Sequence, residues 1–263
     1  MTSAATLSDV DVAVLAATAG AQTAMSFFGR TVERYAKGDN DFTTAADIAA
    51  ERAARDVLAK MTPGDAVTGE ELSSTGNGRR NWLIDPICGT FNFASGVPLF
   101  AVNVALEIDD MTSAAAVAEP SSGIIYASDG LTTRRQHNGT SELAHPSADS
   151  LLVDINVAYD YPASANAIRL LSDATFGQRF APRLFATTLA LAWVAAGKAS
   201  AYLCGGDPHG SVHFAAGVML CQASGAIVTD LDGEPLRVGK AGFIAASDSE
   251  TQAAILRRLH EVS

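Results

Sequence analysis

Basic residues are scarce in this chain. Its 18 Lys and Arg stand against 29 Asp and Glu, a formal net charge of -11 over 263 residues. Such a surface repels a nucleic-acid backbone, so no nucleic-acid partner is expected. An anionic small substrate would need a local cation, and a bound metal ion is one way to supply it. Cysteine is also sparse: Cys88, Cys204 and Cys221 stand at irregular spacing. They make no disulfide framework and fit a reducing, cytoplasmic setting. Long apolar runs are missing. The stretch "VPLFAVNVAL" falls far short of the roughly 18–20 residues of a membrane span, and the N-terminus lacks the basic region of a secretory signal. No membrane association is expected. Internal repeats and low-complexity tracts are absent as well.

What is present is 48% apolar and 18% charged sequence, with mean hydropathy +0.16. This suits a soluble unit with ample core. Apolar residues at helical spacing from Val10 to Val32 predict one helix over 8–36. A polar turn then leads to a second helix ending at Lys60. "NWLID" reads as a strand, "LFAVNVALEID" and "AAAVAEPSSGIIYAS" as antiparallel strands, and "GLTTRRQHNGT" as a hairpin region. A second half begins near residue 148. It holds the strand "LLVDINVAY", helices over 163–172 and 184–197, the strand "ASAYLCG", a helix over 211–224, the strand "AIVTDLDG" and a last helix over 248–262. Helices alternating with sheet segments predict layered α/β or α+β packing, with lobes at 1–147 and 148–263 forming one compact unit.

The chemistry-bearing residues concentrate in the first half. "TGEEL" places Glu70 and Glu71 in a loop after a strand, and "LIDPICGT" places Asp85 at a strand end, where Pro86 fixes the next turn. Carboxylates of this kind suit hard divalent ions such as Mg2+. Gly89 lets backbone approach a ligand, and a helix starting near Thr90 offers free N–H groups to an anion. "DFTTAAD" adds Asp41 and Asp47 at a helix start. Taken singly, a Glu-Glu pair is usually solvated surface and an Asp before Pro is usually a turn.

Taken in order, D-x-x-T-x-x-D, G-E-E and W-x-I-D-P-I-x-G-T-x-N-F resemble the inositol monophosphatase family of metal-dependent sugar and cyclitol phosphatases. "PLFAVNVAL", "VAAGKASAY", "HFAAGVMLCQASGAIVTDLDG" and "GFIAAS" extend the resemblance over residues 8–262. It implies a five-layer α-β-α-β-α sandwich and a hydrolase acting on a small phosphorylated metabolite. It further implies a first metal held by Glu70, Asp85 and the Ile87 carbonyl. Thr90 and Asp47 take the positions that activate water, and phosphate lies on the N–H groups of Gly89 and Thr90. Dimers are common in similar proteins, so a homodimer stays open.

The resemblance breaks at two metal ligands. Cys88 stands at the family's second Asp of D-P-I-D, and His213 at the Asp of W-D-x-A-A-G, with Val212 for the Trp. Ala223 replaces the Glu of E-A-G-G. The loop "LCGGDPHGS" is about two residues longer than usual, leaving Cys204 or a displaced Asp207 where an acid contacts an inositol ring. His209 in the same loop is a candidate substrate contact. Cys and His suit Zn2+ or another borderline metal better than Mg2+.

Three readings follow. The protein is a phosphatase with Mg2+ at the intact site and a Zn-like ion at the altered one. Or no metal is present, and Cys88 is a thiolate nucleophile, activated by His213 with Asp85 orienting the imidazole, for acyl transfer or hydrolysis. Or the site has decayed into a non-catalytic binding module. A lone buried Cys is usually a small hydrophobe and a lone His usually packs. Here both fall on ligand positions, where decay would more often leave Asn, Gly or Ala.

Overall fold

The computed structural model describes residues 7–38, 41–157 and 164–262. Helix α1 spans Asp9–Phe27, opened by a capping box between Ser8 and Asp11. It is long and apolar enough to cross a membrane by length and composition alone. Here it packs instead against a second helix and a sheet, with Val12, Ala13, Ala16, Ala17 and Ala24 in the core. The helix expected over 8–36 ends early. Gly29 takes a left-handed turn at φ 75, and the chain enters a hairpin of β1 (Arg34–Gly38) and β2 (Asp41–Thr44). Phe28 and Val32, which looked like a continuing helical stripe, pack around Phe93 and Phe100 instead. Burial was satisfied, but through a different backbone.

Thr44 caps α2 (Ala45–Met61), with Asp47 returning a bond to the cap in a second capping box. A seven-stranded sheet follows, built from β3 (Ala66–Gly69), β4 (Arg80–Cys88), β5 (Ala101–Ile108), β6 (Met111–Glu119), β7 (Ile124–Ser128), β8 (Thr133–His137) and β9 (Thr140–Leu143). The strands lie side by side in that order. Only β3 and β4 run parallel; the other neighbours are antiparallel. Short helix α3 (Thr90–Ala94) lies between β4 and β5.

The second half comprises β10 (Leu152–Asn156), α4 (Ser164–Leu171), α5 (Ala174–Arg179), β11 (Ala181–Arg183), α6 (Leu189–Ala195), β12 (Ala201–Cys204), α7 (Ala215–Ser224), β13 (Ile227–Asp230), β14 (Phe243–Ala246) and α8 (Ser249–Glu261). Its sheet has the order β11-β10-β12-β14-β13. Strand alternation sends Trp82, Ile84 and Val104 to α1 and α2, and Leu83, Ala105 and Val117 to α6 and α7. The same middle helices meet Tyr202 and Phe243 of the second sheet, whose outer face packs on α4, α5 and α8. The result is the expected five-layer sandwich.

Two helix starts differ from the sequence reading. The helix expected from 184 begins at Leu189, and the one expected from 211 begins at Ala215. In each case the residues before it are held by hydrogen bonds to other elements, described below. Helix α5, capped by Asp173 through Phe176 N, was not anticipated. Parts of three sequence-read segments, at 39–40, 158–159 and 163, lie outside the described residues.

Candidate active site

Strand β4 does not run regularly into the site. Asp85 pairs with Asn103 but Cys88 pairs with Ala101, so β4 carries one extra residue there. In a regular strand, residues three apart face opposite sides. The bulge re-aims the chain so that Asp85 and Cys88 face the same side. His213 joins them from the turn before α7. Ligand atoms of Asp85, Cys88 and His213 all lie within 4.8 Å of one another, and His213 Nδ1 is 2.7 Å from Asp85 Oδ2. Asp85 is fully buried, and its Oδ1 has no hydrogen-bond partner among the described residues. A buried carboxylate oxygen left unpaired is costly, and a metal ion would satisfy it.

Glu70 approaches from the end of β3. Its loop is set by Glu51, fully buried on α2, which accepts hydrogen bonds from Glu71 N (2.7 Å), Leu72 N (3.3 Å) and Arg55 Nε (2.8 Å). Gly69 is required by this contact, because a Cβ there would fall 1.9 Å from Glu51 Oε1. Lys37 reaches in from β1, donating to Glu70 Oε1 at 2.9 Å and to Glu71 Oε1 at 2.7 Å.

The turn after β4 needs Gly89 as well. It adopts φ 109, and a Cβ would press on Leu99 O and Ala186 O. The first N–H groups of α3 have no partner within the helix. Thr90 Oγ1 lies 3.1 Å from Asp47 Oδ1 and 3.1 Å from Ile87 O. Asp47 itself is tied to Thr44 N and Thr44 Oγ1. The capping box of α2 thus also fixes the carboxylate that faces Thr90.

Charge is unevenly compensated. Burial, then the charge of Asp85, pushes the Glu70 carboxyl up to about 7 against the pull of His213 and Lys37. Burial opposes a charge on His213, but the hydrogen bond and charge of Asp85, with Glu70, outweigh it and hold the imidazole at about 9. The Cys88 thiol is pushed well above its ordinary range by burial and by Asp85, against two hydrogen bonds from Thr188. That is the reverse of the lowering a metal-free thiolate nucleophile needs. Burial raises Asp47 to about 6, with its hydrogen bonds from Thr44 and Thr90 acting the other way.

Asp207 and His209 are not drawn into this cluster. Asp207 Oδ1 accepts from His209 N and faces His209 Nδ1, each at 3.0 Å, while Oδ2 accepts from Gly239 N. Among the described residues, no hydrogen bond links Asp207 or His209 to Asp85, Cys88 or His213.

The family model for the inositol monophosphatase family matches residues 5–263. The chain belongs to the inositol monophosphatase family. An inositol-1-monophosphatase of Mycobacterium leprae is 33% identical over 231 residues, 83% of this chain and 78% of that protein. One of Caulobacter vibrioides is 31% identical over 235 residues, covering 85% and 89%. In fold, the chain is similar to the Thermotoga maritima IMPase, with TM-score 0.82 over 96% of each chain at 22% identity.

Sequence reading missed four residues of this inositol monophosphatase-family site. Glu51 was findable: it lies four residues after Asp47 on the same helical face. Asn103 was a polar interruption in "FAVNVAL". Lys37 and Thr188 carried no local signal. Thr188 lies in the 184–188 segment expected to be helical. Its N–H and Oγ1 lie 3.2 and 2.9 Å from Cys88 Sγ, and Thr187 Oγ1 donates to Cys88 O at 2.8 Å.

Proposed function

We propose that this protein is a metal-dependent phosphatase of a small phosphorylated metabolite of the sugar or cyclitol phosphate class, with a remodelled second metal site. The observation that carries this is Thr90 Oγ1 held between Asp47 Oδ1 and Ile87 O, beside the partnerless, buried Asp85 Oδ1. Glu70, Asp85 and the Ile87 carbonyl offer an all-oxygen set suited to Mg2+. When bound, divalent ions supply positive charge to the phosphate and lower the pKa of water.

The chain's own residues supply the rest. N–H groups of Gly89 and Thr90 receive phosphate oxygens. Thr90 Oγ1 gives its proton to Asp47 and takes one from the attacking water. Asp47 can accept at neutral pH because its carboxyl titrates near 6. Buried Thr44 holds Asp47 in place throughout. The relatives named inositol-1-monophosphatase support the phosphate-ester class. No observation favours the thiol nucleophile.

The test is phosphate release from a panel of sugar and cyclitol monophosphates. Chelator-stripped protein is reloaded with Mg2+, Mn2+, Co2+ or Zn2+. Thr90→Ala and Asp47→Asn should each lower turnover by about 100-fold. Folded protein that releases no phosphate with any ion and any substrate would end this reading.

A further inference from the structure

Three cysteines allow a comparison within one molecule, and Cys204 Sγ accepts a single backbone bond, from Gly206 N at 3.3 Å. Cys221, in the core, behaves as a neutral thiol and donates to Leu191 O at 3.1 Å. Cys88 does the opposite. Its sulfur faces two donors, Thr188 N at 3.2 Å and Thr188 Oγ1 at 2.9 Å. Asn103 Nδ2 donates to Thr188 Oγ1 at 2.8 Å, and this directs the single hydroxyl proton toward the sulfur. The same Nδ2 reaches His213 O at 3.3 Å. One buried amide thus fixes both the donor to Cys88 and the backbone of His213. A sulfur that accepts from both an N–H and an O–H suits a metal-bound thiolate, whose charge such donors spread.

We propose that Asp85, Cys88 and His213 form a site for a borderline divalent ion such as Zn2+ or Co2+, with Cys88 as thiolate ligand and with Thr188 and Asn103 as positioning residues. Two separate observations point there. The three ligand atoms converge within 4.8 Å, and Asp85 Oδ1 is buried without a partner. His213 Nδ1 and Asp85 Oδ2 stand 2.7 Å apart, so an ion held by both residues would take the place of the proton between them, with the partnerless Oδ1 beside it. Sulfur and imidazole select against Mg2+ and for Zn2+ or Co2+. The His213 side chain is 37% exposed, so the site has an opening to solvent. On binding, the ion also takes the place of the thiol proton, which leaves to solvent through that opening.

This inference deepens the phosphatase reading by naming the ion of the second site, and it rests on that reading only for its use in turnover. Chelator-stripped full-length protein is titrated with Co2+ and followed by near-ultraviolet absorption from thiolate-to-cobalt charge transfer. Wild type should show the band, and Cys88→Ser should lose it. Thr188→Val removes only the hydroxyl donor and should weaken Co2+ binding by about 10- to 100-fold; Thr188→Ser should restore it. Protection of Cys88 from alkylation by Zn2+ in the wild-type protein gives a readout independent of variant folding. Co2+ bound without the band, or equal Co2+ affinity in folded Thr188→Val, overturns the proposal. If Zn2+ leaves the alkylation rate unchanged, the proposal also fails. Phosphate release with Mg2+, Mn2+, Co2+ and Zn2+ in the same preparations separates the two claims. Turnover without the sulfur band refutes this inference alone, and the band without any turnover refutes the phosphatase reading alone.

Discussion

His213 Nδ1 lies 2.7 Å from Asp85 Oδ2, although 128 residues separate the two in the chain. His213 of the second half therefore meets Asp85 of the first, with Cys88 beside both. The thiol and the imidazole that the sequence resemblance sets against two family carboxylates stand at one place.

Restoring the oxygen ligands should restore Mg2+ preference. The double variant Cys88→Asp, His213→Asp is expected to raise Mg2+-dependent phosphate release by about ten-fold or more and to lose thiolate absorption with Co2+. The Thr188 N–H and hydroxyl would then donate to the new carboxylate. Steady-state kinetics at saturating Mg2+ measures this, and unchanged or lower turnover in a folded double variant would contradict it.

The Asp47 carboxyl sets an acid limit. Burial raises it to about 6, and it must be ionised to take the Thr90 proton. Activity should fall as pH drops through about 6, with kcat losing about ten-fold per pH unit below it. Asp47→Asn should show low activity without that limb. A wild-type profile flat from pH 7 to 5 would remove Asp47 from this role.

Lys37 would compete with a divalent ion held at Glu70. Its ammonium is paired with Glu70 and Glu71 and its side chain is 26% exposed. A pair of this exposure contributes on the order of 1 kcal/mol. Lys37→Met is therefore expected to tighten Mg2+ binding by about five-fold in a calorimetric titration. Weaker binding in the variant would show that Lys37 supports the ion rather than displacing it.

Asp154 makes stability depend on pH. It is fully buried, Oδ1 accepts from Phe185 N, and Oδ2 has no partner among the described residues. Burial lifts its carboxyl to about 7. Between about pH 4 and 7 the folded protein keeps a proton that the unfolded chain releases, so stability falls as pH rises through that window. The full effect is on the order of 4 kcal/mol above pH 7. Asp154→Asn keeps the acceptor for Phe185 N and should melt higher than wild type at pH 8, with little difference at pH 4. Equal shifts at both pH values would show the carboxyl not to be the cause.

Local order was legible in the sequence where local chemistry decides it. Thr44 and Asp47 cap a helix, alternation in β4 to β7 sorts residues between two helix layers, and Asp85-Pro86 through Thr90 forms a turn around a positive-φ glycine. These depend on neighbours within a few residues, so the local elements that carry Glu70, Asp85, Thr90 and Asp47 were readable from the sequence. Tertiary contacts decided the rest. The α1 stripe stopped at Phe27 because Phe28 and Val32 found burial against Phe93 and Phe100. Residues 184–188 stayed out of α6 because Asp154, Cys88 and Asn103 engage them from both sheets and Asn92 from α3. The surroundings of Cys88 were invisible for the same reason. Thr188 is 100 residues away in sequence, and no local pattern encodes a hydrogen bond that forms only when two sheets close on the helices between them.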